Sequence, residues 1–146
     1  MVLSLLVLIG CGAAADSQPS GDGIPDGYPT IAPPEFHGIF EISGVAIAGQ
    51  PLDLGTASTR QITFDVVTGA VTVDLGCDRR LGSFTLAAGG QASITLTGRI
   101  EVDPCPPSDL DGSVVDLAER IERWESTDGG VRLVAAGGDN LVLSEL

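Results

Sequence analysis

The sequence predicts a mostly β domain with one α-helix, an α+β chain folded as a curled antiparallel sheet or small barrel. Three observations carry that expectation. Apolar and polar residues alternate with period two through a series of short segments between Gln61 and Val102, the pattern of strands with one buried face. The connections between those segments are short and often contain glycine, which favours antiparallel hairpins between neighbours. One stretch, Ser113–Trp124, leaves that period and sets its apolar residues at helical spacing.

Two segments of different composition precede the domain. Residues 1–10, MVLSLLVLIG, are an apolar run of signal length, too short to span a bilayer as a mature helix. Leu8-Ile9-Gly10-Cys11 reads as a lipobox, so Cys11 is expected to receive a lipid through its sulfur and to become the first residue of the mature chain. No Lys or Arg precedes Cys11; the positive region of such a signal is expected from a start codon further upstream. A lipid with more than one acyl chain gives stable attachment, which a single chain does not.

Residues 11–35 are rich in Gly, Ala, Asp, Ser and Pro. Such a composition buries too little apolar surface to offset its ordering entropy, and the segment is predicted to be a lipid-anchored flexible linker. Within it, Gly21–Gly27 resembles half of a calcium-binding Asp/Gly repeat. Only Asp22 and Asp26 offer carboxylates there, short of the six to eight oxygens calcium takes, so no metal is assigned.

From Phe36 to Leu146 the chain is apolar enough for one domain with one core. Gln61–Val66 places Ile62, Phe64 and Val66 on one face and Gln61, Thr63 and Asp65 on the other. The same period recurs in Ala70–Leu75, Ser83–Leu86, Ser93–Leu96 and Arg99–Val102. Val67–Gly69 and Ala88–Gly90 are short enough to close hairpins, and strands at this spacing imply a sheet that curls. The predicted helix carries Val114, Leu117, Ala118, Ile121 and Trp124 on one face. It has favourable i,i+4 pairs in Asp116 with Arg120 and Glu119 with Arg123, and a cap from Ser113 or Ser108. Trp124, at the end of that face, is expected to plug the core. Asp128–Gly130 and Gly137–Asn140 are turn signals around Val131–Val134, and Leu141–Leu143 completes a final hairpin.

Twenty acidic against seven basic residues give a net charge of -13, which argues against binding nucleic acid by phosphate neutralisation and against anionic lipid surfaces. Every basic residue is Arg. Little resembles catalysis. His37 stands at the domain edge with no glycine-flanked serine elbow elsewhere to use it. The carboxylate pairs Asp109 with Asp111 and Glu101 with Asp103 arise readily in so acidic a chain and need share no proton. No phosphate-cradling loop ending in Lys is present. Adjacent Arg79 and Arg80 are the candidate for an anion or partner surface, against the plainer expectation that they pair with nearby carboxylates.

Besides Cys11 the chain has Cys77 and Cys105. In an exported protein two remaining cysteines point to one disulfide, with free thiols as the alternative. A metal site would need more ligands than two thiolates and His37 supply.

Gly76-Cys77-Asp78-Arg79-Arg80-Leu81-Gly82-Ser83-Phe84-Thr85-Leu86 resembles the signature of the META, or HslJ-like, domain, in which Gly-Cys-Asn precedes a short loop, a glycine and a strand. Asp78 stands where the family usually has Asn. Cys105-Pro106-Pro107 ahead of an amphipathic stretch, a Trp and a closing hairpin is similar to the family's second half, although residues 101–104 lack its usual Thr and Met. The resemblance spans residues 36–146. It implies a cracked antiparallel barrel with one helix packed across it, in proteins that are commonly bacterial envelope lipoproteins, the best known of them heat-inducible, without established catalytic residues. The function expected is that of a non-catalytic binding or stress-related accessory module in the cell envelope. Its partners are the membrane, through the lipid anchor, and a hydrophobic ligand or an envelope protein; no cofactor is implied. Two alternatives stand beside it, a carboxylate-dependent enzyme acting on an envelope substrate and a structural protein acting through envelope partners.

Overall fold

Phe40, Ile42 and Val45 are buried and the residues between them are not, which makes Gly38–Ile47 the first strand, β1. The fold is taken from a computed structural model that describes residues 36–146 except 57, 58, 88, 103, 105 and 107. The expected signal segment 1–10, Cys11, the linker 11–35 with Asp22 and Asp26, and Cys105 lie outside the described residues. The sequence reading set no strand at β1, and the reason is local. Its pairing register slips between Ile42 and Gly44, so the buried positions run i, i+2, i+5 and no simple period survives the bulge.

The chain continues through a two-residue turn, Ala48–Gly49, into the short β2, Gln50–Pro51. Then come β3, Gln61–Asp65, and β4, Ala70–Asp74, both where the alternation put them. β5, Asp78–Leu86, is longer than expected. β6, Ala92–Glu101, joins into one strand the two segments read separately; a bulge opposite Leu81 and Gly82 had broken their common period. After α1, Asp109–Glu119, come β7, Ile121–Thr127, β8, Gly130–Ala135, and β9, Asn140–Glu145.

The strands form a curled antiparallel sheet in the order β6-β5-β4-β3-β1-β9-β8-β7, with β2 attached to β1. Its two outer strands come back to one another at one place. Gln91 bridges Arg123, and the Trp124 amide donates to the Gly90 carbonyl at 2.8 Å. One continuous core fills the concave side. Its aromatic rings touch in series, Phe84 on Phe64, Phe64 on Phe36 and Phe36 on Trp124, with centroids 4.8–5.9 Å apart and edge-to-face geometry, the arrangement that ring quadrupoles favour.

The helix begins and ends four to five residues earlier than its apolar spacing predicted. Ser108 caps it by accepting from the Asp111 amide at 3.3 Å, and Asp109 and Asp111 lie in the first turn, where the helix dipole favours negative charge. Val114, Leu117 and Ala118 are fully buried, and the helix meets β6 and β9. Ile121 and Trp124 belong instead to β7, pairing Ala135 and Leu133 on β8 with a bulge between Ile121 and Arg123. That bulge turns a strand's two-residue step into three, which mimics one face of a helix. The expected i,i+4 pairs are accordingly replaced: Arg120 pairs with Asp139 and Arg123 with Glu125.

Candidate functional site

The residues singled out by sequence around Cys77 meet at the tight connection between β4 and β5. The Leu75 amide donates to the Asp78 carbonyl at 2.9 Å, closing a hairpin over Gly76 and Cys77. Gly76 has φ +94°, a conformation that other residues adopt only under strain. The Asp74 carboxylate accepts from the Gly76 amide, and the Cys77 carbonyl accepts from the Val102 amide, each at 2.9 Å. Cys77 is disulfide-bonded.

Asp78 is the one buried charged residue among those described, 7% exposed. It lies opposite Glu101 on β6, and two residues further along the same ladder Arg80 lies directly opposite Arg99. Like charges facing each other across a ladder repel. Asp78 resolves this by holding both. Its Oδ2 takes Arg80 Nε and Nη2 at 3.1 and 3.0 Å, and its Oδ1 takes Arg99 Nε at 3.0 Å. Arg99 also reaches Glu101 at 2.9 Å. An Asn at this position has no charge to set against two guanidinium groups, which gives the Asp at position 78 a physical reason. The side chains of Arg80 and Arg99 remain partly exposed, 29% and 48%.

Arg79 points the other way, as alternation along a strand requires. It pairs with Asp74, directly opposite on β4, at 2.6 Å. Arg79 and Arg80 therefore do not share one anion-binding face, because adjacent strand residues project from opposite sides of the sheet; Arg80 shares its surface with Arg99 instead. Sequence reasoning missed Arg99, since only strand register brings it to Asp78, 21 residues away.

Gly82 sits at the bulge between β5 and β6. A Cβ there would collide with the Thr95 carbonyl oxygen and stand 2.9 Å from Leu96 Cα. The glycine is thus required by a close approach of two backbones.

The remaining candidates are dispersed. His37 is exposed just before β1. Asp111 is bound by Arg60 at 2.7 Å, an ion pair that also engages the Leu54 carbonyl and ties the helix start to the segment before β3. It spans 51 residues, so no local pattern announces it. Asp109 occupies the same helical turn, Glu101 is held by Arg99, and Asp103 lies outside the described residues. Asp65 is held below its ordinary carboxyl value chiefly by the Thr68 hydroxyl, and Asp139 chiefly by the Ala48 amide, with Arg120 adding to it. Trp124 flanks the core from β7 and donates from Nε1 to the Ala87 carbonyl at 2.9 Å. All seven arginines are engaged in ion pairs, so any cationic surface is locally compensated. Among the described residues no three His, Cys, Asp or Glu converge as a metal site.

No family model and no curated protein matches the chain. Among solved structures, the NMR structure of a protein from Burkholderia xenovorans is similar in fold, with a TM-score of 0.59 at 20% identity over 79% of this chain and 92% of that one. A DUF4847 family protein from Bacteroides vulgatus aligns with a TM-score of 0.46 at 13% identity, over 57% of this chain and 56% of that one. The chain spans about half the length of that second protein, and the likeness is too low to argue from.

Proposed function

We propose that the chain is an exported lipoprotein, anchored through Cys11 to a membrane of the bacterial envelope, whose META/HslJ-like domain binds an envelope protein and performs no catalysis. In this reading α1 packs across a cracked barrel and Cys77 pairs with Cys105, a pairing that non-reducing peptide mapping reads directly. The contact surface is the end of the sheet that carries Asp78, Arg80 and Arg99.

One observation carries the surface assignment. A buried carboxylate holds two guanidinium groups that would otherwise repel, on side chains that remain partly exposed. Planar guanidinium groups held in place lose less entropy on meeting a partner's carboxylate or aromatic face than mobile ones. The contiguous aromatic and aliphatic core favours a partner at the surface over a hydrophobic ligand in the interior. The separate fates of Asp109, Asp111 and Glu101 weigh against the carboxylate enzyme.

The test is comparative crosslinking in intact envelopes. Wild type and Arg99→Gln, compared at equal membrane levels and at a temperature well below the unfolding midpoints of both, should differ in the yield of one discrete crosslinked species. An unchanged yield would sink the surface assignment. Labelled palmitate entering wild type but not Cys11→Ser reads the anchor independently.

A further inference from the structure

The strands run between two ends of the curled sheet. One carries the Gly76–Cys77 turn, Asp78 and the start of α1. The other carries the start of β1 at Gly38, the β3–β4 turn after Asp65, the β7–β8 turn after Thr127 and the end of β9 at Glu145. Residues 11–35 join the domain at this second end, beside Phe36. Among the described residues, three of the five large exposed apolar side chains lie there: Ile39 at 50%, Val67 at 80% and Leu146 at 69% exposed. Phe40 pairs with Glu145, so one step further brings Leu146 beside Ile39 on the outward face. Val67 stands at the tip of the neighbouring hairpin.

We infer that this end of the domain rests on the membrane that holds the lipid anchor, with Ile39, Val67 and Leu146 entering its interfacial layer. The inference rests on the anchored reading above. Only the 25 residues 11–35 separate the expected anchor from Phe36, and so short a connection keeps this end at high effective concentration near the surface. Three apolar side chains then suffice for contact that an untethered domain would not maintain. Asp65, Asp128 and Glu145 belong to the same end and oppose anionic headgroups, so the surface preferred is an uncharged, zwitterionic one. The orientation turns Arg80 and Arg99, at the opposite end, away from the membrane and toward envelope partners.

The experiment supplies the tether artificially. Residues 11–146 with Cys11→Ser and an amino-terminal histidine tag are held on phosphatidylcholine vesicles by a small fraction of nickel-chelating lipid, and amide hydrogen exchange is compared with the free chain. Exchange across residues 66–69 and 144–146 should slow about threefold or more, with residues 76–80 unchanged. The slowing should vanish in the Ile39→Ser, Val67→Ser, Leu146→Ser triple variant. If that variant loses its fold, Val67→Ser alone, at a hairpin tip, should at least halve the effect. No slowing, slowing at residues 76–80, or slowing indifferent to these substitutions overturns the inference. Slowing without vesicles that grows with protein concentration also overturns it, by assigning the face to a second copy of the chain. Failure of palmitate labelling, by contrast, removes the anchor without touching the exchange result.

Discussion

Replacing Asp78 by Asn keeps the shape of the side chain and removes the charge that holds Arg80 and Arg99. Asp78 is 7% exposed and the Arg80 side chain 29%, so their contact lies between a surface and a buried ion pair. A charge-assisted hydrogen bond contributes roughly 1.5–3 kcal/mol when well buried; discounted for the exposure of Arg80, the loss is about 1–2 kcal/mol. Arg99 is half exposed and enters by sign only: without the carboxylate it faces Arg80 as an uncompensated like charge. For a domain of this size the loss lowers the thermal midpoint by about 4–8 °C, and it should appear as a lower urea midpoint with an unchanged slope. Two further readouts isolate the electrostatic origin. Raising ionic strength from about 0.05 to 0.5 M should narrow the gap between variant and wild type, because the Debye length contracts. Arg99→Met should cost less in the Asp78→Asn background than in wild type. A cost of Asp78→Asn below about 0.5 kcal/mol, the range of ordinary surface substitutions, would refute the clamp.

Gly82→Ala should destabilise by about 2–3 kcal/mol, read by denaturant unfolding, since its Cβ meets the backbone of β6. Gly112→Ala, in the interior of α1 with nothing within 4 Å of the new Cβ, should instead stabilise by about 0.5–1 kcal/mol; equal signs for the two would overturn the packing argument. Leu117→Ala removes a fully buried helix side chain and should cost about 2–5 kcal/mol, with a smaller loss showing that α1 contributes little to the core. Asp65 and Asp139 are held below their ordinary value of 3.8. The stability they contribute is therefore fully present above about pH 4 and is lost as pH falls through their lowered folded values. Asp139→Asn should narrow the difference in urea midpoint between pH 7 and pH 3, and an unchanged difference would contradict the assignment.

What could be read from sequence depended on whether a strand keeps its period. β3 and β4 do, and their residues declared themselves. β1, β6 and β7 contain register slips at Ile42–Gly44, opposite Leu81–Gly82 and at Ile121–Arg123. Each slip inserts a residue and breaks the alternation on which sequence patterns rest. The helix shift has the same origin. Ile121 and Trp124 are apolar three residues apart in a bulged strand just as they would be in a helix, and cross-strand pairing to β8 decides between the two.

The site divides along the same line. Gly76, Cys77, Asp78 and Gly82 stand close together in the chain, and their resemblance to a family signature drew attention to the region. The alternating and helical spacings likewise determined a mostly β domain with one helix, and the composition a net charge of -13. Only the tertiary structure decided which groups meet. Arg99 reaches Asp78 through strand register, Arg60 reaches Asp111 across half the domain, and Arg79 and Arg80 are separated by the thickness of the sheet. A side chain's partner depends on how strands pair and curl, which is settled by burial of the whole core and not by the few residues on either side.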